Sequence, residues 1–278
     1  MQGGTDLQPG GCSSVQRSHG PRHAPSQLTR DFTQMTRENE ETTVTLDICH
    51  HTLVLHQSRR SYNCGSTLWS AGLVLARYLE QEKGLFNKSK HCLRVLELGA
   101  GLGLAGIVCA LQENCAQVTL TDLGSVLPYL QKNAQYIPSM VLQDGKREID
   151  LQVKEYVWGQ APEDCGLQPP YDLILGADCI YDIAQVEPFL QSLSAVSGPR
   201  STILLGNEER DKALQEHFVK ELGKLFSIKP IKRKRLSVLE GFHELIEVWV
   251  CRRRRYKGED ELAIHHEAEK ESNTKGHK

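Results

Sequence analysis

The chain has 278 residues, which is enough for one α/β domain with a substantial core and some additional tail. Its formal net charge of −2 at pH 7 excludes an overall positive field that would hold it on nucleic acid or on an anionic membrane. Its nine cysteines include no C-x-x-C pair and several fall in apolar periodic segments, which indicates reduced thiols in a cytosolic protein rather than a disulfide framework or a zinc site.

The N-terminal segment differs in composition from the rest of the chain. Residues 1–40 are polar and contain few branched or aromatic side chains, so they are predicted to form a disordered tail. They lack the apolar core of a signal peptide, and no later apolar run approaches the length of a membrane span. We therefore expect a soluble intracellular protein without a membrane partner. The sequence has no heptad seam, so we expect a monomer rather than a coiled-coil dimer.

The folded part is predicted to begin with two short strands and a helix. Thr43–Ile48 and His51–Gln57 alternate or run apolar around a short polar break, which predicts a β-hairpin. The segment Trp69–Lys83 places its apolar residues on one stripe, which predicts an amphipathic helix, and the preceding Ser66 and Thr67 are candidate caps.

Strand and helix patterns then alternate. In chain order the strands are LRVLEL, QVTLTD, LQVKEYVW, YDLILGAD, STILLGN, FSIKPIK and HELIEVWVC, and the helices are GLAGIVCALQE, SVLPYLQKNAQYI, IAQVEPFLQSLSAV and DKALQEHFVKEL. This alternation predicts a Rossmann-like, doubly wound α/β sheet of seven strands, parallel through most of its length. The last two strands follow each other without a helix, so that pair is predicted to be antiparallel. The domain is expected to cover residues 41–251, with a charged tail over residues 252–278.

A glycine-rich loop follows the first strand of this alternation. In VLELGAGLGLAG, Gly99, Gly101 and Gly103 let the backbone turn tightly and approach a ligand, while amides at the start of the next helix point toward it. Read as G-x-G-x-x-G over residues 101–106, with Asp122 at the end of the next strand as the ribose-binding acid, the loop is compatible with NAD.

An acidic residue before the glycines favours a different cofactor. Glu97 lies at the tip of the strand, where a carboxylate is unfavourable beside a pyrophosphate. It suits S-adenosylmethionine, which carries net positive charge near its reactive centre and has no phosphates. Asp122 would then accept both ribose hydroxyls. An NAD-dependent oxidoreductase is the alternative, and it is disfavoured because no second catalytic domain follows.

Several separated motifs occur in the order typical of one family. VLELGAGLGLAGIVCA, VTLTD, VWG and YDLILGADCIYD, with GSTLWSAGLVLARYL upstream, resemble the seven-strand methyltransferases of family 16 over about Thr43 to Cys251. These are mostly protein-lysine methyltransferases, and the chain resembles in particular those that methylate Hsp70 chaperones and valosin-containing protein. The resemblance implies an S-adenosylmethionine-dependent protein-lysine N-methyltransferase whose substrate is a chaperone, an AAA ATPase or a translation factor.

The resemblance also implies roles for individual residues. The positions that match the family's cofactor contacts are Trp69, Glu97, Gly99, Ala100, Gly101, Asp122, Trp158 and Ala177. Asp178 and Tyr181 belong to DCIY, which matches the family's D-x-x-Y motif at the substrate-lysine entrance. The chain departs from the family at Ser70, where Asp or Pro is common. It also departs in NEER, residues 207–210, which lacks the aromatic residue that often precedes the Glu-Arg pair, so the substrate-facing wall is where a difference is expected.

Asp178 and Tyr181 are assigned the catalytic roles. A lysine ammonium has no lone pair and must lose a proton before it attacks a methyl group. Asp178 is predicted to attract and orient the amine without acting as its base, and Tyr181 to pack on the alkyl stem or accept a cation over its ring. The alternative from the residues alone is that Asp178 or Asp182 caps the following helix. Trp158 would, on the same basis, be ordinary core.

The basic clusters and the histidines are assigned no chemistry. Lys232–Arg235 and Arg252–Arg255 are interpreted as solvated surface. The alternatives are docking sites for acidic patches, nucleic-acid contacts, or nuclear-import signals, which would add the nucleus to a cytoplasmic location. The histidine pairs are adjacent in sequence and chelate poorly, so no metal site is predicted. A non-enzymatic adaptor that kept the fold is the other function hypothesis, and the intact DCIY motif speaks against it.

Overall fold

The structure is a computed structural model that describes residues 41–58, 64–87, 92–143, 147–236 and 245–254. The predicted tail over residues 1–40 lies outside this part of the chain, as does everything after Arg254. Arg252 and Arg253, assigned to the C-terminal tail from the sequence, belong instead to the last strand. The division into domain and tails otherwise stays a prediction. Within the described ranges no helix is long and apolar enough to cross a membrane.

Two sheets are present in the described part of the chain. The strands are β1 (Glu41–Ile48), β2 (His51–Ser58), β3 (Leu93–Leu98), β4 (Cys115–Asp122), β5 (Asp150–Glu155), β6 (Tyr171–Ala177), β7 (Ser197–Glu208), β8 (Phe226–Pro230) and β9 (Ile246–Arg253). The helices are α1 (Ser70–Gln81), α2 (Lys83–Asn87), α3 (Leu104–Ala110), α4 (Leu127–Ala134), α5 (Ile137–Gln143), α6 (Val186–Val196) and α7 (Lys212–Leu225).

The larger sheet has seven strands in the order β5-β4-β3-β6-β7-β9-β8. Strands β3 to β7 are parallel, and β9 is antiparallel to both of its neighbours, β7 and β8. This confirms the predicted Rossmann-like sheet with an antiparallel last pair. Strand order reverses between β3 and β6, and the carboxyl ends of adjacent parallel strands meet there, as they do in other ligand-binding sheets of this class.

Apolar side chains cover both faces of this sheet, as its parallel strands require. One cluster joins the sheet to α1, α3, α4 and α5, and a second joins the opposite face to α6 and α7. Strand β6 shows the alternation: Leu173 and Leu175 belong to the first cluster and Ile174 to the second. The site is therefore supported by a strand that is packed on both sides.

The hairpin of β1 and β2 forms a separate two-stranded sheet that packs against α4. Its attachment runs through the buried side chain of Asn133 on α4. Asn133 Oδ1 accepts from the amide of His56 at 2.7 Å, and Asn133 Nδ2 donates to the carbonyls of His56 at 3.1 Å and Leu102 at 3.2 Å. The hairpin is thus hydrogen-bonded, through one amide group, to the glycine-rich loop.

Two local predictions differ from the structure. Neither Ser66 nor Thr67 caps α1: the cap position is Trp69, without a side-chain hydrogen bond, and Thr67 Oγ1 donates instead to the carbonyl of Ser58 at 2.9 Å. The helix predicted over residues 125–137 ends at Ala134, and a further helix, α5, follows it. The proline at the second position of α5 fits a first helical turn, where its missing N–H is not needed.

Candidate active site

A cavity of about 1320 Å³ opens at the carboxyl ends of the central strands. It is lined by all ten residues that the sequence analysis selected: Trp69, Glu97, Gly99, Ala100, Gly101, Asp122, Trp158, Ala177, Asp178 and Tyr181. Pockets for single small ligands usually occupy about 300–1,000 Å³. The cavity is therefore large enough for a cofactor together with one side chain of a second molecule.

The glycine-rich loop forms the floor of the cavity and needs glycine at specific points. Gly99, Gly101 and Gly103 have φ values of 61°, 55° and 84°, in the left-handed region that favours glycine. A Cβ atom on Gly99 would lie 2.8 Å from the Trp158 ring. The amide of Ala100 donates to the carbonyl of Thr121 at 2.9 Å, which fixes the loop to the end of β4.

Glu97 lies at the bottom of the cavity and is only 2 % exposed. Its Oε2 accepts a hydrogen bond from the amide of Gly106 at 2.8 Å. Burial raises the pKa of this carboxyl to about 8; the Gly106 amide opposes the rise and the nearby Asp122 adds to it. Burial therefore favours the protonated form of Glu97, and a cationic group beside it would favour the ionised form.

Asp122 ends β4, and both of its carboxylate oxygens accept backbone hydrogen bonds. Its Oδ2 accepts from the amide of Gly101 and its Oδ1 from the amide of Leu123, each at 2.7 Å. Burial raises the pKa of Asp122, and these two amides act against the rise. Each oxygen keeps one further lone pair for a ligand, because a carboxylate has about four acceptor positions.

Trp158 forms the wall next to the loop. It is partly buried, contacts the position of Gly99, and packs edge-on against Phe189 with 4.8 Å between ring centroids. The ring therefore belongs to the core on one side and lines the cavity on the other. The core interpretation describes one side of the ring, and its contact with the adenine stays a prediction.

Asp178 follows β6 in a left-handed conformation, with φ of 58°, and its side chain is only 4 % exposed. Its two oxygens accept from the two terminal nitrogens of Arg210, both at 2.8 Å, and Oδ1 also accepts from the amide of Glu208 at 3.3 Å. Asp178 does not cap the following helix; Asp182 does this for the short 3-10 turn after it, accepting from the amide of Ala184 at 2.9 Å.

The mouth of the cavity is apolar. The side chains of Trp69, Leu123, Val157 and Tyr181 all line the cavity and are exposed. Trp69 is held by its ring nitrogen, which donates to the carbonyl of Cys64 at 2.7 Å. Exposed apolar groups that border a cleft mark a surface for another molecule.

The charges of the lining distinguish between the two cofactors considered. Among the described lining residues, three are carboxylates, Glu97, Asp122 and Asp178, and the one cationic side chain is Arg210. Arg210 is already paired with Asp178 and Glu208. A lining with three acidic groups and no unpaired cation does not fit a pyrophosphate. It fits a cofactor that carries a cationic sulfur and an amino group. In the described ranges no three His, Cys, Asp or Glu side chains are placed to hold a metal ion.

Two polar partners in the site were not selected from the sequence. Gly106 supplies the amide that holds Glu97, and Arg210 holds Asp178. The signal for Arg210 was present in NEER, since this segment follows β7 and β7 lies beside β6, so that the two strand ends adjoin. The departure expected in this segment concerned its missing aromatic residue, whereas the contact with Asp178 is formed by the arginine.

Comparisons with known proteins show which family the chain resembles. A family model described as lysine methyltransferase matches residues 48–225. Protein N-lysine methyltransferase METTL21A of Danio rerio is 36% identical over 190 residues, which are 66% of this chain and 78% of that protein. EEF1A lysine methyltransferase 3 of Xenopus tropicalis is 32% identical over 169 residues, which are 60% of this chain and 69% of that protein.

A solved structure shares the fold. The 16S rRNA N2 G1207 methyltransferase of T. thermophilus, in complex with AdoMet and guanosine, superposes with a TM-score of 0.51 at 17% identity, covering 79% of this chain and 52% of that one. At this identity the likeness concerns the fold alone. The family is assigned from two findings: the family model matches most of the described domain, and the relatives carry the same activity in their names. The protein belongs to the family 16 lysine methyltransferases, seven-strand enzymes that depend on S-adenosylmethionine.

Proposed function

We propose that this chain transfers a methyl group from S-adenosylmethionine to a lysine side chain of a protein substrate, and that the ten selected residues form its active site. The observation that carries the proposal is a single cavity in which a carboxylate-lined cofactor floor adjoins an exposed apolar mouth. The first feature fits a cationic cofactor, and the second fits the surface of a second macromolecule.

The cofactor is proposed to lie across the glycine-rich loop. Glu97 would accept from the amino group of the cofactor's methionine part, and the two free acceptor positions of Asp122 would take the ribose hydroxyls. The Trp158 ring would cover the adenine, and Trp69 and Ala177 would border the methionine part. Gly99, Ala100 and Gly101 bring the backbone close without a side chain that would fill the space.

The cofactor supplies a methyl group that is already activated by its bond to a positive sulfur, whose carbon–sulfur electron pair stays on sulfur when the methyl group leaves. The chain's own residues therefore mainly align the amine and exclude water. Asp178 uses three of about four acceptor positions for Arg210 and Glu208, and its Oδ2 retains one for the lysine nitrogen. The amine loses its proton to water before attack, and its lone pair forms the new carbon–nitrogen bond. Tyr181, beside the mouth, would pack on the alkyl stem.

The substrate is proposed to be a chaperone, an AAA ATPase or a translation factor. One relative carries EEF1A in its name as the protein it methylates. In this chain the apolar rim of Trp69, Leu123, Val157 and Tyr181 would contact residues that flank the target lysine. A small-molecule acceptor would leave most of this rim uncovered.

The test is transfer of radiolabelled methyl from S-adenosylmethionine into a cytosolic extract, with products separated on a gel and then hydrolysed to amino acids. We expect one discrete labelled protein that yields methyl-lysine. Asp178→Asn is expected to lower the label by about 10- to 100-fold, because a charge-assisted hydrogen bond contributes about 1.5–3 kcal/mol.

The matched control is Asp182→Ala, which removes a neighbouring carboxylate that caps a turn and does not line the cavity. This variant is expected to label the same protein as the unaltered chain. A gel without any labelled protein, obtained with a chain that binds S-adenosylmethionine, would reject lysine methylation and favour an adaptor that kept the fold.

A further inference from the structure

Three charged side chains form a cluster at the acceptor end of the cavity: Asp178, Glu208 and Arg210. Besides its two bonds to Asp178, Arg210 donates to Glu208 Oε2 at 2.6 Å. The cluster therefore contains two carboxylates and one guanidinium, with a formal charge of −1. Hydrogen bonding to Asp178 is the main cause that raises the pKa of Arg210 further, so the guanidinium stays charged over the working pH range.

Arg210 is placed to act on the acceptor as well as on its partners. It lines the cavity, is 40 % exposed, and its guanidinium carbon lies 5.1 Å from the centroid of the Trp69 ring. It thus joins the end of β7 to the start of α1 across the mouth. Because Asp178 is nearly buried, its negative charge would act strongly on an incoming amine if Arg210 did not offset it.

The other titratable groups that line the cavity are Glu97 from β3, Cys64, Asp122, Tyr129, Tyr156, Cys179 and Tyr181. Burial raises the pKa values of Cys179 and Tyr181, which keeps these two groups uncharged at neutral pH. Burial also raises the pKa of Glu97, but a bound cofactor would favour its ionised form and pair it with the cofactor's amino group. The charge beside the acceptor is therefore set by the cluster, with Asp122 and the cofactor-paired Glu97 as the remaining carboxyl groups.

An acceptor lysine places two opposed demands on this cluster. The ammonium must be attracted into the mouth, which requires negative charge, and it must then release a proton, which a large negative charge opposes. A cluster of −2 would meet only the first demand. We propose that Arg210 is a positioning residue that reduces the charge of the acceptor site to −1, so that the site attracts the lysine but still lets its nitrogen become the neutral amine. This inference rests on the proposed lysine methylation.

The first arm of the test measures kcat against pH with saturating cofactor and the labelled substrate protein. In Arg210→Met the acidic limb of the profile is expected about one pH unit higher than in the unaltered chain. A shift of this size in the pKa of the lysine amine is expected from one nearby charge that solvent partly screens. In the double variant Arg210→Met/Glu208→Gln, whose cluster is again −1, the limb is expected to return. Arg210→Lys keeps the charge but not the bidentate geometry, so a lower kcat with an unshifted limb is expected.

The matched control is Arg235→Met. Arg235 also pairs with a carboxylate, Glu82, and lies over an aromatic ring, that of Tyr78, but it does not line the cavity. This variant is expected to keep the profile of the unaltered chain. An equal loss of kcat at every pH in Arg210→Met, or a double variant as shifted as the single one, would overturn the proposal and leave Arg210 a purely structural role.

The second arm does not need methyl transfer. n-Butylammonium, which has the length and charge of a lysine side chain, is titrated at pH 7 with S-adenosylhomocysteine present, and binding is followed by tryptophan fluorescence. Arg210→Met is expected to bind it about tenfold more tightly than the unaltered chain, and the double variant to return to the original affinity. Equal affinity in all three would overturn the proposal. This order of affinities in a chain that labels no protein would reject lysine methylation and retain the role of Arg210.

Discussion

The buried carboxyl of Glu97 gives a prediction that does not depend on catalysis. Its pKa is raised from 4.5 to about 8, mainly by burial, so ionising it in the folded, cofactor-free protein is unfavourable. Each unit of this difference corresponds to about 1.4 kcal/mol. Glu97→Gln removes the titration, and the Gln side-chain oxygen can still accept from the Gly106 amide at the position of Oε2.

The sign follows from proton binding. Between pH 4.5 and 8 the unfolded chain has lost the Glu97 proton while the folded chain retains it, so the stabilising contribution is present at low pH and is lost as pH rises. Relative to the unaltered protein, Glu97→Gln is therefore expected to gain about 1 kcal/mol at pH 5, about 3 kcal/mol at pH 7 and close to 5 kcal/mol at pH 9.

The assay is urea unfolding of both proteins at pH 5, 7 and 9 without cofactor, with the free energy of unfolding extrapolated to water. A difference between the two proteins that does not change with pH would refute the assignment of a raised pKa to Glu97. Calorimetry on the same samples is expected to show much weaker S-adenosylmethionine binding in Glu97→Gln, so that the more stable variant is the less functional one.

Three further predictions concern the cofactor floor. Because the proposed cofactor contact would favour the ionised form of Glu97, the dissociation constant of S-adenosylmethionine is expected to fall as pH rises from 6 to 8 and then to level off. Binding is expected to release a proton, which calorimetry in buffers of different ionisation enthalpy detects. Asp122→Asn is expected to weaken cofactor binding by about 10- to 100-fold without changing the fold, as measured by calorimetry and circular dichroism. Gly106→Ala would place a Cβ atom 2.2 Å from Leu120 Cδ2 and 2.8 Å from Glu97 Oε2, so thermal unfolding is expected to show a loss of about 1–3 kcal/mol despite alanine's higher helix propensity.

The cofactor half of the site could be predicted from the sequence because its residues are close together along the chain. Glu97 lies near the end of one strand, the glycines follow that strand and Asp122 ends the next, so a strand-loop-helix pattern is enough to place them at one edge of the sheet. The separate motifs around Trp69 and Asp178 were assigned through the resemblance to a family, which supplies the long-range contacts that local patterns do not contain.

The acceptor half depends on contacts that no local pattern gives. The pairing of Arg210 with Asp178 requires that the ends of β6 and β7 adjoin and that the guanidinium turns inward, and both are set by packing. The position of β9 between β7 and β8 has the same origin. Thr67 was wrongly assigned as a cap for the same reason. Its hydroxyl donates to a carbonyl of β2 nine residues earlier, a contact that the local sequence pattern does not indicate.

The bridge at Asn133 makes the N-terminal hairpin part of the frame of the cofactor floor. The side-chain amide of Asn133 hydrogen-bonds to the backbone N–H and C=O of His56 and to the carbonyl of Leu102. Leu102 lies between two of the loop glycines. Ser58, at the end of the same hairpin, lines the cavity. A ligand that orders the glycine loop would therefore slow amide hydrogen exchange in a two-stranded sheet that shares no backbone ladder with the central one. Removing residues of β1 from the N-terminal side would therefore weaken the support of the glycine-rich loop. Protection of the hairpin amides from hydrogen exchange measures this coupling between hairpin and loop.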